Sequence, residues 1–481
     1  MPAFVPASVV LGVASMQEIL SLSALAQGRL IDEGAISSEE LVRAHLVRIA
    51  AVNPTLNAAI EVLAETALTA ARESDGRRAQ GRCRGPFDGV PFSIKDSIQV
   101  QGTVACAGTL GYRDAPPSAA DATLVARLRA AGAIPLARTN APDLLFAFES
   151  DNLIYGRTNN PYDPSRTSGG SSGGEAALIA ACGSPMGLGS DAAGSVRLPA
   201  HFCGITSLKP TSGRLPRTGH VPPASGWVEA VWQIGPMARR VEDLSAMMPL
   251  LLGPDGRDHT VIPMPYSNPA LVAVRDLRIA WFADNGIMPP DAETEAVVRR
   301  AAAALSARAA RPPGIERVYE LEMRYLAPDG GDGMREFLRA IGSTRVHPLL
   351  EGWLQHHEPF RTSLAGFAAC WDDVLQFRAG MYAFLRDFDA VVSPAAAFPA
   401  LPHGDSIRDD RFPGFSYTMT HNLTGWPAAV VRCAQTSEGL PIGVQIAAAP
   451  WREDIALAIA LRLEQEFGGW QPAPDDSAAR A

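Results

Sequence analysis

The sequence predicts a single α/β domain, in which one sheet carries helices on its faces and is interrupted by a helical insertion. Three observations carry this. From about residue 85, short apolar runs alternate with turn residues and helical stretches. Residues 290–385 are then mostly helical and richer in charge. Strand-like runs return after 386, so the C-terminal part completes a sheet begun in the first half. The 481 residues, 47% of them hydrophobic, supply material for a large core, and the 39 prolines and 43 glycines are spread along the chain. Length alone would allow about three domains, but large α/β enzymes keep one sheet at this size.

The elements follow in order. Residues 15–75 read as helices. Ile19, Leu20, Leu22, Leu25 and Leu30 recur at helical spacing over Met16–Glu33, and Gly34 supplies a stop. Ser37 and Glu40 are spaced as a capping box opening a helix over Glu39–Ala51, which Asn53-Pro54 ends. In a core of 85–250, Val90–Ile94 reads as a strand, Ala120–Ala131 as a helix and Ala133–Ala137 as a strand, with Gly187–Gly189 near the end of another. Glu293–Arg308, rich in alanine, suits a surface helix within 290–385. Over 386–470, Ala390–Ser393 precedes the proline-rich Pro394–Pro402, Ala428–Cys433 and Gly443–Ala447 read as strands, and Asp454–Gln465 closes as a helix. The tail, 472–481, is expected to fray.

Composition excludes several function classes. A net charge of −9 and a pI of about 5.6 disfavour a nucleic-acid partner. There is no Lys/Arg-rich run to dock on a membrane and no run of 18 uncharged apolar residues to cross one. The first twenty residues lack Lys or Arg before their apolar stretch, and Pro6 and Gly12 interrupt it, which argues against a signal peptide. The six cysteines include no CxxC pair and read as free thiols in the cytoplasm.

The chemistry concentrates in Thr167–Glu175, Thr-Ser-Gly-Gly-Ser-Ser-Gly-Gly-Glu. It is not a linker, because patterned structure flanks it and Ser172 with Glu175 is spaced as a capping box leading into Ala176–Cys182. It is not a phosphate loop, because Gly-Lys-Ser/Thr is absent. Gly170–Gly174 formally fits the nucleophile elbow Gly-x-Ser-x-Gly. That elbow needs a preceding strand, and Asn159–Pro164 cannot be a central one.

A fourth reading covers nearly the whole chain. Gly89-Val90-Pro91-Phe92-Ser93-Ile94-Lys95-Asp96, Gly169–Gly174, and Gly189-Ser190-Asp191-Ala192-Ala193-Gly194-Ser195-Val196-Arg197-Leu198-Pro199-Ala200 are followed by Phe202-Cys203-Gly204 and Leu208-Lys209-Pro210-Thr211. Later come Gly235–Arg239, Asn422–Gly425 and Gly439–Gly443. In this order the motifs resemble the amidase signature family. Glu175 and Gly183-Ser184-Pro185 look most like its branch of fatty acid amide hydrolases and bacterial relatives. The resemblance implies a central mixed, twisted sheet covered by helices on both faces. It implies Ser195 as nucleophile, Ser171 as proton relay after a cis peptide bond, and Lys95 as base. The amides of Ala192, Ala193, Gly194 and Ser195 would form the oxyanion hole. Leu144, Leu145, Phe146, Ala147 and Phe148, with Thr167, Ser168 and Gly169, would bind substrate.

The residue types suit these roles. A serine hydroxyl needs a base, and a lysine at the end of an apolar strand can lose its proton because burial disfavours the ammonium. No metal or organic cofactor is called for. Two positions depart from the family pattern. Ala193 stands where glycine is common, although relatives cleaving ω-amino-acid oligomers look similar there, and it would be strained if φ were positive. His201 replaces a small residue and is expected to be structural. His356-His357-Glu358 lacks the HExxH spacing of a metal site. Trp353, Phe360 and Trp371 read as packing residues that would line a channel if the insertion covered the site.

The expected function is hydrolysis of C–N bonds in aryl or alkyl amides, with carbamates and esters open to the same chemistry, by a monomer or homodimer acting on small molecules. Two rival readings are a component of a tRNA-dependent amidotransferase, which the acidic charge opposes, and a catalytically silent binding protein, which intact Lys95, Ser171 and Ser195 oppose.

Overall fold

The computed structural model describes residues 15–223 and 226–474. The apolar start, 1–14, and the expected fraying of 475–481 lie outside the described residues. Among the described residues eleven strands form one sheet: β1 (Ala59–Val62), β2 (Pro91–Lys95), β3 (Ile134–Thr139), β4 (Met186–Asp191), β5 (Thr206–Lys209), β6 (Gln233–Ala238), β7 (Ile279–Trp281), β8 (Arg308–Ala309), β9 (Ala390–Pro394), β10 (Ala428–Gln435) and β11 (Pro441–Ala448). Their spatial order is β1-β3-β2-β4-β6-β5-β10-β11-β9-β7-β8. The sheet is mixed: β2 runs parallel to β3 and β4, whereas β6 is antiparallel to both β4 and β5. The late hairpin β10–β11 inserts between β5 and β9, so the C-terminal part does complete the sheet.

Period-two alternation splits the sheet into two faces of different character. Phe92, Ile94, Leu188, Leu208, Ile234 and Val444 join one apolar core with residues of the helices Val241–Leu251 and Glu453–Phe467. The intervening positions, among them Ser93, Lys95, Gly189, Lys209, Gly235, Gly443 and Gln445, look the other way. That second face is covered by the helices Gly173–Ala180 and Arg197–Cys203. Beyond them lies the insertion, with helices Val318–Leu326, Pro348–His357 and Leu364–Phe384.

Several local expectations need correction. Met16–Glu33 is two helices, Met16–Ser21 and Ala24–Asp32, because Ser23 caps the second and the buried Asp243 carboxylate accepts the Ala24 and Leu25 amides. The Ser37/Glu40 capping box forms, but its helix passes through Pro54 to Leu56 and stops at left-handed Asn57. A proline in the last turn forfeits one bond without preventing the turn. The Ser172/Glu175 capping box does not form, although a helix begins there. Residues 15–75 are not all helical, since β1 lies among them. Strands β5, β6, β7 and β8 are additions to the pattern that the sequence predicts.

Candidate active site

Three loops that leave the sheet converge on one place. β2 ends at Lys95, which is fully buried. Its Nζ lies 2.7 Å from Ser171 Oγ and 3.0 Å from Ser190 Oγ. Burial pushes the Lys95 ammonium down to about 7, against the pull of Asp191, Glu175 and Asp96. Ser171 follows a cis bond from Gly170. The next residue ties this loop to the turn that carries Ser195, because the Ser172 amide donates to the Ser195 carbonyl at 3.1 Å. Ser171, Ser190 and Ser195 line the same narrow cavity.

The turn carrying Ser195 is held from beneath. Asp191 Oδ1 accepts from the Gly194 amide (2.8 Å), and Oδ2 accepts from the Val196 amide (3.2 Å). Arg197 Nε and Nη2 grip both Asp191 oxygens at 3.0 and 2.9 Å, while its remaining donors reach the Thr418 carbonyl, Gln445 Oε1 and Asn422 Oδ1. All five guanidinium donors are thereby used, the condition under which a buried ion pair is tolerated. Asp191 is held well below the usual carboxylate range: burial opposes this, and Arg197 overcomes it.

Two glycines let this turn lie on the sheet. Gly189 pairs with Gly235, and a Cβ on either would crowd the side chain of Val196. Gly194 has φ +125°, and a Cβ there would strike Thr418 Oγ1. The positive φ therefore falls on a glycine, and Ala193 is not among the residues with positive φ. Of the four amides assigned to a carbonyl oxygen, that of Gly194 already serves Asp191.

Leu145, Phe146, Ala147 and Phe148 line the cavity, together with Ala192, Ala193, Val228, Trp232, Leu326 and Trp353. Leu144 and Leu145 both have positive φ, 49° and 69°. This uncommon backbone for bulky residues turns the segment into the site. Leu144 itself points into the core. Thr167, Ser168 and Gly169 do not line the cavity. Thr167 Oγ1 accepts the Gly169 amide, the Ser168 carbonyl meets Cys203, and a Cβ on Gly169 would meet Pro199, so the segment packs beneath the Arg197–Cys203 helix.

His201 is structural. Its Nδ1 accepts the Gly443 amide at 2.8 Å and its Nε2 donates to the Phe398 carbonyl at 3.0 Å, which fixes a neutral ring joining a helix to β11. His356 stacks on Phe412 and His357 on Trp353, each with a nitrogen on a backbone carbonyl. The insertion does cover the site through Leu326 and Trp353, and Trp353 meets Phe146 edge-on with ring centres 4.7 Å apart. Phe360 and Trp371 are not among the lining residues. Reasoning from the residues missed Ser190, the Arg197 anchor, Val228, Trp232 and Leu326. Ser190, Asp191 and Arg197 stand inside a recognised motif, while the partners of Arg197 lie 221 to 248 residues downstream.

Comparison with known proteins bears on this site. A family model described as Amidase matches residues 40–457. The chain is 36% identical to a glutamyl-tRNA(Gln) amidotransferase component from Chloroflexus aurantiacus, covering 92% of this chain and 96% of that one. It is 30% identical to fatty-acid amide hydrolase 2 of Homo sapiens, covering 94% and 90%. The solved structure of 6-aminohexanoate cyclic dimer hydrolase superposes with a TM-score of 0.80 at 30% identity, covering 93% and 97%.

Proposed function

The chain belongs to the amidase family, whose hydrolases cleave C–N bonds, and from that premise we propose that it hydrolyses uncharged aryl or alkyl amides, and carbamates of similar shape, through Lys95, Ser171 and Ser195. The observation that carries this reading is the 2.7 Å contact between a buried, weakened lysine and Ser171, which lines a largely apolar cavity together with Ser195.

In this mechanism neutral Lys95 draws a proton through Ser171 from Ser195, whose oxygen attacks the carbonyl carbon. The negative oxygen is received by the amides of Ala192, Ala193 and Ser195, with the Gly194 amide holding the turn through Asp191. Donors of this kind are worth roughly 3–4 kcal/mol each. Ser171 returns the proton to the leaving nitrogen, the C–N bond breaks, and water releases the acyl group from Ser195. Leu145–Phe148, Val228, Trp232, Leu326 and Trp353 favour alkyl or aryl substituents over charged ones. The six unpaired thiols fit a cytoplasmic setting, and among the described residues no helix is long and apolar enough to cross a membrane.

The test is a matched panel of an anilide, a primary aryl amide, an aryl carbamate and an ester, offered to wild type and Ser195→Ala. Turnover of the anilide or carbamate by wild type alone is expected, and the ratios then set the substrate class. A folded wild type inert toward all four refutes the proposal. The 36% identity to an amidotransferase component favours one second reading. Under it the chain would copurify with partner proteins and act only in their presence.

A further inference from the structure

Beside Lys95 the sheet contains a carboxyl group that the mechanism above does not use. Glu175 leaves the first turn of the helix that follows Ser171–Ser172, and it is fully buried. Its Oε1 accepts a hydrogen bond from Ser93 Oγ, and its Oε2 accepts from Thr139 Oγ1 at 2.7 Å. Both donors are placed by the sheet. Ser93 is two residues before Lys95 on β2, so the two share a face. Thr139 is the register partner of Lys95 on β3. On the other flank, Gly187 of β4 is the register partner of Ser93, and a Cβ at Gly187 would coincide with Glu175 Oε1. Two hydroxyls and one missing side chain, from three adjacent strands, thus shape a slot for a carboxylate against the face that bears the base.

We propose that Glu175 is a positioning residue for the reaction, the counter-charge that sets how readily Lys95 takes and holds the proton drawn from Ser195. The inference rests on the reading of Lys95 as the base. The other charged groups around Lys95 are already spoken for. Asp191 is neutralised by Arg197, and Asp96 by Arg138, whose Nη2 lies 2.5 Å from it. His220, near enough for the charge of Lys95 to act on it, is driven towards the neutral form chiefly by its own burial. Glu175 is bound by the hydroxyls of Ser93 and Thr139, with no ion pair to a cationic side chain among the described residues. Burial raises its pKa to about 8 against the pull of Ser93, Thr139 and Lys95, so it titrates in the same range as Lys95, and its ionised form favours protonated Lys95. Proton loss from Lys95 is thereby coupled to the charge on Glu175, and each group titrates under the influence of the other.

The experiment is the pH dependence of kcat/KM for wild type, Glu175→Gln and Ser93→Ala, with a melting curve for each. Wild type should lose activity towards acid pH as Lys95 becomes protonated. Glutamine fits the slot without charge, so E175Q should move this acid limb down by about one pH unit, a tenfold change in proton concentration. Its plateau should fall, because protonated Lys95 loses its partner. S93A, which removes one donor to the carboxylate, should shift the limb in the same direction by less. If E175Q does not fold, S93A alone decides the matter. An acid limb unmoved in a folded variant, whatever the plateau, overturns the proposal and leaves Glu175 a packing residue. If instead Lys95→Met retains the wild-type limb, the assignment of Lys95 itself fails.

Discussion

Two lysines in this sheet invite comparison. Lys95 closes β2 and Lys209 closes β5, two strands that point the same way. Continuing the register by one residue between β2 and β4 and by two between β5 and β6 places them at the same level, with Gly189 and Gly235 between them and the Ser195–Val196 turn lying over those glycines. Both are fully buried, and burial pushes both ammonium groups down to about 7. Yet Lys95 meets two serine hydroxyls, whereas Lys209 Nζ donates to the Pro210 carbonyl. A carbonyl can accept a hydrogen bond but cannot relay a proton. A weakened lysine is therefore common to both places, and a hydroxyl able to relay a proton, on the proposed mechanism from Ser195, belongs to one of them.

The largest expected effect tests that contrast. Lys95→Met should lower kcat/KM by about a thousandfold or more, the scale of a lost general base, while Lys209→Met should remain within about tenfold of wild type. Equal losses would show that buried charge, and not its partner, is what the site requires. Next comes the turn between the lysines. Gly194→Ala must place a side chain at φ +125° against Thr418. A loss of about a hundredfold is expected, from misplacement that costs roughly 1–3 kcal/mol of backbone strain. Ala193→Gly should change kcat/KM less than about threefold.

A third measurement separates the lysines by stability. The unfolded chain holds the Lys209 proton up to a pKa near 10.5 and the folded chain only to about 7. Between these values the unfolded state binds more protons, so this group makes wild-type stability rise with pH. The K209M variant has no proton to lose there. Chemical denaturation should find K209M more stable relative to wild type at pH 7 than at pH 10, by a few kcal/mol on the order expected for a fully buried group. No pH dependence in that difference would mean that Lys209 stays charged in the fold. The smallest effect is expected at His201, where Gln can restore one of two hydrogen bonds. H201Q should cost about 1–2 kcal/mol of stability and leave the pH–rate profile of wild type in place.

Much of the proposed chemistry is legible in the sequence because it is local. Lys95, Ser171 and Ser195 each sit in a short motif, and the insertion is visible as a change of texture. Other features are hidden for physical reasons. Gln233–Ala238 contains Gly235 and Pro236, residues unfavourable in a central strand, yet it is a strand because β4 and β5 hold both its sides. Ser172 and Glu175 have capping-box spacing, but the carboxyl is drawn to Ser93 and Thr139 from other strands. Thr167–Gly169 suggests substrate contacts by its adjacency to Ser171, whereas its own bonds turn it under the Arg197–Cys203 helix. The grip of Arg197 on Thr418, Asn422 and Gln445 spans 221 to 248 residues, beyond any local pattern.

That grip has a consequence for the protein during its synthesis. The ribosome delivers the Ser195 turn long before the residues that saturate Arg197, and β5 waits for β10, which lies beyond the whole insertion. Until the final hairpin emerges, Arg197 and Asp191 lack their outer partners and the sheet has an open seam beside β5. A nascent or C-terminally truncated chain therefore carries Lys95, Ser171 and Ser195 without the partners that hold the Ser195 turn, so the activity proposed above is expected only once translation is nearly complete.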